Sequence, residues 1–225
     1  MEILMKTMRS PIFNGICESD LAEMKAASCL REKSYAKGEY IFRMGDVTTE
    51  LGIVLSGSVV VENADVWGNT GILTKVHSGG VFAETYALCR MPMMVSAKAM
   101  EDSRIQFLDL RVLDTYEGSA FVWKRKLSKN LLDISARKNI TLSERMFCIS
   151  SKTVRGRVLA YLSKQARLAG SSSFRIPFDR QQMADYLNVD RSALSKELGK
   201  MKEEGLIDFN KNHFVIYSEE SFRER

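Results

Sequence analysis

The sequence predicts an α+β chain in three parts: an N-terminal β-roll of the jelly-roll kind, a long helix, and a C-terminal winged helix-turn-helix. Three observations carry that prediction. Between Arg31 and Leu110, short β-rich segments alternate with glycine-bearing turns at even spacing, the pattern of a sandwich or barrel filled by its own side chains. From about Leu110 to Met146 the apolar period becomes that of a helix. From Asp179 to Ile207, DRQQMADYLNVDRSALSKELGKMKEEGLI reads as two short helices joined by a tight turn. The expected parts are 1–110 for the roll with its opening helix, 111–148 for the long connecting and dimerisation helix, and 149–225 for the winged domain.

The chain opens with PIFNGICESDLAEMKAASCL, residues 11–30, which predicts a short helix capped by Ser19, with Ile16, Leu21 and Met24 on its apolar face. The roll strands are expected in YIFRMGD, LGIVLSGSVVVENADV, GNTGILTKV, GGVFAET, MVSAKAM and SRIQFLDL. In the long helix Leu127, Leu131 and Ile134 fit heptad a and d positions, but Lys138 and Thr141 take the next two. That imperfect seam predicts a dimerisation element, and the alternative is a helix lying on its own sheet. VRGRVLAYLSKQARLAG follows as a helix ended by Gly170 and a Ser-rich turn.

In the last helical pair Asp179 is placed to cap and Gln182 to complete a capping box, with Met183, Ala184 and Leu187 facing inward. Asn188 tolerates the left-handed conformation that ends a helix sharply. Asp190 is placed to cap the second helix, in which Leu194, Leu198 and Met201 recur at three- and four-residue spacing. Arg191, Ser192, Ser195, Lys196 and Lys200 fall on the other face. Gly205 stops the helix before a strand pair turning at Asn210-Lys211-Asn212. Spacing alone is that of any helical hairpin. Its chemistry fits a helix entering the DNA major groove, where Arg and Lys reach guanine acceptors.

Composition narrows the function. The 225 residues are 45% hydrophobic, as in an ordinary globular protein, and carry a net charge of +5. Residues 1–110 hold 11 Lys+Arg against 14 Asp+Glu, whereas 111–225 hold 22 against 14, so the basic surplus lies in the back half. That split suits a polyanionic partner. No apolar run approaches the roughly 18 residues of a membrane span, so a soluble, cytoplasmic protein is expected. Cys17, Cys29, Cys89 and Cys148 form no CxxC pair, and His77 and His213 are the two histidines. A zinc ribbon, a disulfide framework, a His-rich metal centre and a Ser-His-Asp enzyme all lack their residues. No catalytic or metal-binding residue is expected, and the chain is not read as an enzyme.

The order of roll, long helix and winged helix-turn-helix resembles the Crp-Fnr family of bacterial transcription regulators, the catabolite activator protein type. The resemblance spans nearly the whole chain. Gly38, Gly45-Asp46, Gly57-Ser58, Gly79-Gly80-Val81-Phe82-Ala83-Glu84 and Ser96-Ala97 fall where the family's cyclic-nucleotide-binding-like roll carries comparable turns and its ligand cassette. Arg155-Gly156-Arg157-Val158 resembles the start of the family's packing helix, and Arg180 to Ile207 aligns without a gap. The resemblance implies base reading by Arg191, Ser192 and Lys196, with Ser195 and Lys200 beside them and Gln181 on phosphate. Where Ser192 stands, members often carry Glu, which leaves the recognition sequence open. A two-fold homodimer implies an inverted-repeat operator in double-stranded DNA, with RNA polymerase as a further partner.

The cassette residues Phe82, Ala83, Glu84, Val95, Ser96 and Ala97 are the candidate effector pocket. In cyclic-nucleotide-binding members the family pattern is Gly-Glu followed by Arg-Ser-Ala; here Glu84 and Ser96 remain, but Ala83 replaces the glycine and Val95 the arginine. Without that cation a buried phosphate loses its charge-assisted partner, so cyclic AMP is not expected and the small-molecule effector is unassigned. Arg90 is a nearby substitute. The methionine-rich stretch after Tyr86 suits either an adaptable apolar pocket or plain filling of the roll interior. A haem held by His77, Cys89 or a methionine, thiol-based redox sensing, and a ligand-binding module without DNA binding stay as alternatives.

Overall fold

A computed structural model describes residues 10–64, 70–114 and 122–217. Contacts divide the chain into two compact units, Met1–Arg137 and Lys138–Arg225.

In the front unit a 3-10 turn, Pro11–Phe13, precedes α1, Glu18–Ala26. Cys17, not Ser19, is the N-cap, and the Asp20 carboxylate accepts the Cys17 N–H at 3.0 Å. Then follow β1, Leu30–Tyr35; β2, Tyr40–Phe42; β3, Glu50–Ser56; β4, Ser58–Ala64; β5, Thr70–His77; and β6, Val81–Phe82. A short α2, Glu84–Cys89, leads to β7, Ser96–Ala99, and β8, Ser103–Asp109. The strands form two four-stranded sheets, ordered β1-β8-β3-β6 and β2-β7-β4-β5, which is the expected roll.

Alternation along β3 and β8 serves two cores at once. Val54, Ile105 and Phe107 point between the sheets, where they meet Tyr35, Phe42, Phe82 and Met93. Phe107 lies edge-on to Phe42 at 5.8 Å and to Tyr35 at 6.3 Å. Leu51, Ile53 and Leu108 belong to the second core, with Ile12, Phe13, Leu21 and Met24. Gly52 is required here, because a Cβ would stand 2.3 Å from the Phe82 ring.

After the 3-10 turn Leu110–Leu113 comes α3, Val122–Ile149. The predicted seam meets a different partner. Leu127, Leu131 and Ile134 are buried in the second core of the chain's own front unit, together with Trp123. Polar groups on the same side hold α3 to the opening segment. Trp123 Nε1 donates to Glu23 at 3.0 Å, Lys126 Nζ to Asp20 at 2.8 Å, and buried Asn130 Nδ2 to the carbonyls of Ile12 and Asn14 at 2.9 and 2.8 Å. These residues recur at three- and four-residue spacing, so one helix side carries both the apolar and the polar fastening.

The back unit contains α4, Val154–Ala169; β9, Ser173–Arg175; α5, Arg180–Leu187; α6, Arg191–Glu203; and a hairpin of β10, Ile207–Asn210, with β11, His213–Ile216. The three strands pair in the order β10-β11-β9 as a wing. Local chemistry sets each boundary. Thr153 Oγ1 accepts Gly156 N–H at 3.0 Å to start α4, and Gly170 ends it at φ +61°. The expected capping box is present: Asp179 Oδ1 accepts Gln182 N–H at 2.8 Å, and Gln182 Oε1 accepts Asp179 N–H at 3.0 Å. Asn188 closes α5 at φ +52°, and Asp190 begins α6 without a side-chain capping bond. Val158, Leu162, Met183, Leu187, Leu194, Leu198 and Phe214 form the core.

Candidate nucleic-acid interface

Packing of Leu194, Leu198 and Met201 against α4 and α5 leaves the opposite side of α6 outward. Arg191, Ser192, Ser195, Lys196 and Lys200 are all exposed there, and Gln181 is exposed on α5. Gln181 Nε2 donates to Asp185 within its own helix at 2.8 Å. Among the described residues no hydrogen bond or ion pair engages the side chains of Arg191, Ser192, Ser195 or Lys196. The Arg155 guanidinium holds the Glu204 carboxyl below its ordinary value, and nearby Lys200 adds a smaller pull in the same direction.

The other cations of this unit are largely committed to its architecture. Arg155 forks onto Glu197 at 2.6 Å and onto Glu204 at 2.7 and 2.8 Å, tying α4 to the inward edge of α6. Arg157 donates to the carbonyls of Leu187 and Asn188 at 3.1 and 2.7 Å, which closes the turn between α5 and α6. Arg145 donates to Tyr186 and Asp185 carbonyls, and Lys202 pairs with Asp208 at 2.5 Å. Half-buried Arg180 lies over the rings of Phe209 and Phe214, and burial pulls its pKa below the ordinary value. Among the described residues, the cations on the outer side of α6 are joined by exposed Lys211 at the wing turn, φ +54°, while exposed Lys152, Arg167 and Arg175 lie elsewhere in the unit, before α4, on α4 and on β9. The sequence reading of DNA contacts omits Lys211, although it places the Asn210-Lys211-Asn212 turn.

The candidate effector residues come together differently. Phe82, Ala83, Val95 and Ala97 line the core between the sheets, and Phe82 meets Phe42 edge-on at 6.1 Å. Glu84 is 4% exposed at the start of α2. Ser96 Oγ accepts Met44 N–H at 3.0 Å. Arg90, the nearby substitute cation, is paired with Asp114 instead. Met93 fills the interior as expected of a filler, but Met91 and Met94 are 59% and 74% exposed and fill nothing. Cys29 and Cys148 are buried thiols, and burial pushes Cys29 up to about 11; Cys17 and Cys89 are exposed. Among the described residues no group of three or more His, Cys, Asp or Glu could hold a metal, and no helix is long and apolar enough to cross a membrane.

Comparison with known proteins agrees with this architecture. Residues 32–116 match the cyclic nucleotide-binding domain and 156–225 the Crp-like helix-turn-helix domain. The chain belongs to the Crp-Fnr family of transcription regulators. Its relatives include the electron transport regulator A of Shewanella oneidensis, 24% identical over 83% of this chain and 74% of that protein. The cyclic AMP receptor protein of Thermus thermophilus is 27% identical over 88% of each chain. Among solved structures, the c-di-GMP responsive global regulator CLP of Xanthomonas campestris shares the fold at a TM-score of 0.59 and 15% identity, covering 90% of this chain and 100% of that one. Crp-Fnr regulators are not enzymes; they bind DNA and form dimers. The names of these relatives carry different signals, so membership leaves the effector unassigned.

Proposed function

We propose that this chain is a homodimeric regulator that reads double-stranded DNA with α6, and that a signal received by its front unit changes its DNA affinity. One observation carries the DNA reading. Arg191, Ser192, Ser195 and Lys196 stand outward and uncommitted, while Arg145, Arg155, Arg157 and Lys202 are spent on structure. An outward Arg has the geometry to donate two hydrogen bonds to guanine O6 and N7. Ser192, Ser195 and Lys196 extend the same face, and Lys200 and Gln181 suit phosphate oxygens, which set register without reading sequence. A two-fold dimer presents two such helices to half-sites about one helical turn apart. Exposed Leu132, Ile140, Leu142, Met146 and Phe147 on α3 supply apolar surface for self-association, in place of the inward stripe at Leu127, Leu131 and Ile134.

The front unit supports a signal other than cyclic AMP. Val95 brings an apolar side chain to the position of the phosphate-binding arginine, and Phe82 packs onto Gly52. A cyclic phosphate desolvated there meets no cation from Arg90, which pairs with Asp114. Selection of a bound sequence from a randomised duplex pool, followed by titration of wild type and Arg191→Ala, tests the DNA reading. The variant is expected to lose about 1 to 3 kcal/mol on the selected operator and to relax its preference at one base pair per half-site. Equal affinity of the two proteins, or a selected pool without two-fold related half-sites, overturns it.

A further inference from the structure

Among the described residues of the front unit, the exposed thioethers are Met44, Met91 and Met94, carried on adjoining loops. Two loops carry them, and backbone bonds fasten one loop to the other. Gly45 N–H donates to Met93 O at 2.8 Å, Met93 N–H to Asp46 O at 2.9 Å, and Met44 N–H to Ser96 Oγ at 3.0 Å. Phe42 pairs with Ala97 in the antiparallel ladder just before this junction, so Met44 runs opposite the stretch that holds Met94. Met44 is 46% exposed, Met91 59% and Met94 74%, while Met93 between them is 3% exposed. Cys89, the last residue of α2, is also exposed. The left-handed Arg90, φ +53°, turns the chain sharply between Cys89 and Met91. Cys89-Arg90-Met91-Pro92-Met93-Met94 is thus a Cys-x-Met-x-x-Met run, with Met44 delivered beside it by the neighbouring loop.

Three exposed thioethers and one exposed thiol have a specific chemistry. Sulfur donors of this softness select monovalent copper or silver over the hard divalent ions that prefer oxygen. Each methionine has three rotatable bonds between backbone and terminal methyl, so side chains anchored on two fastened loops can converge on one ion without moving the roll. The Arg90 guanidinium, between Cys89 and Met91 in sequence, is engaged by Asp114 and so partly neutralised. We infer that Met44, Cys89, Met91 and Met94 form a surface site for a soft monovalent metal ion of the Cu(I) or Ag(I) kind. Binding forms a metal–thiolate bond at Cys89 with release of its proton, and the three thioethers donate neutral lone pairs. Nothing is oxidised or reduced. Apart from Met44, the site lies on the exposed loop between the cassette residues Phe82–Glu84 and Val95–Ala97, uses none of those six side chains as ligands, and its test involves no DNA.

The full chain, with its methionine methyls carbon-13 labelled, is titrated with silver nitrate in chloride-free buffer. Ag(I) serves as a redox-inert probe. The methyl resonances of Met44, Met91 and Met94 are expected to shift together and saturate at one ion per chain, while that of Met93 stays in place. In competition with a soluble thioether chelator, the triple variant Met44→Leu, Met91→Leu, Met94→Leu is expected to bind at least about tenfold more weakly, the scale of effect common when metal surroundings are altered. These side chains are exposed and leucine keeps their bulk, so the fold is preserved. Cys17→Ser, which removes the other exposed thiol, is expected to leave the site intact. Retention of full affinity by the triple variant, or methyl shifts confined to one methionine, overturns the proposal.

Discussion

At Ala83 the backbone is left-handed, φ +63° and ψ 5°, where cyclic-nucleotide-binding members of the family carry glycine. An L-residue there pays about 1 to 2 kcal/mol in Cβ crowding. Glycine relieves that strain but raises the freedom of the unfolded chain by about 0.4 to 1 kcal/mol. The first effect is larger. Ala83→Gly is therefore expected to stabilise the front unit by somewhat under 1 kcal/mol, read as a higher urea midpoint at constant slope. Tyr161 poses the complementary case. It is 1% exposed and stacks on Phe178 at 5.9 Å, yet its hydroxyl has no partner among the described residues, and burial pushes the phenol well above its ordinary pKa. Desolvating an unpaired hydroxyl costs about 1 to 3 kcal/mol in proteins. Tyr161→Phe keeps the ring and removes that cost, so the back unit is expected to gain about 1 kcal/mol in the same measurement.

Among the elements, α1 and α3 depend on each other through polar contacts as much as through Leu21, Met24, Leu127 and Leu131. The Lys126 ammonium at 2.8 Å, and then the Cys17 N–H, hold the Asp20 carboxyl below its ordinary 3.8. A carboxyl with a depressed pKa in the folded state stabilises above the unfolded value, and that contribution disappears as pH falls through the folded one. The front unit is thus expected to lose stability below about pH 4 through this pair, and Asp20→Asn to flatten the curve there without steepening it near neutrality. Circular dichroism melts from pH 2 to 6 test this; an unchanged acid limb in the variant excludes Asp20 as a contributor.

The helices of the back unit are legible in the sequence because their signals are local: the capping box at Asp179 and Gln182, the left-handed stops at Gly170 and Asn188, and apolar spacing in α6. The roll is legible through its glycine turns, except β1. Leu30–Tyr35 exposes four consecutive residues, so it shows no alternation, and its partner β8 lies some seventy residues away. The six-residue α2 is too short to show a period. In α3 the periodicity of Leu127, Leu131 and Ile134 reveals a buried side but not what buries it. The same limit applies to methionine. Composition marks the stretch after Tyr86 as methionine-rich, but only backbone pairing decides that Met93 turns inward while Met91 and Met94 turn outward.

For the whole molecule, net charge follows the division of labour: residues 1–110 sum to −3 and 111–225 to +8. An acidic front limits indiscriminate adhesion of the roll to a polyanion, and the basic back draws the reading helix toward one. Because Arg155 and Lys202 are neutralised by Glu197, Glu204 and Asp208, the effective attraction is smaller than the formal charge, and its share on the reading face lies at Arg191, Lys196, Lys200 and Lys211. Each cation placed on a phosphate releases condensed counterions and adds about 0.9 to the slope of log affinity against log salt. Titration of a non-specific duplex between low and physiological salt is therefore expected to give a slope near four per chain, two such sets acting in a dimer. Lys200→Ala should lower it by about one per chain. Arg155→Gln should leave the slope almost unchanged while destabilising the back unit, because that arginine bonds the protein to itself. Equal loss of slope in both variants contradicts the separation between structural and DNA-facing cations.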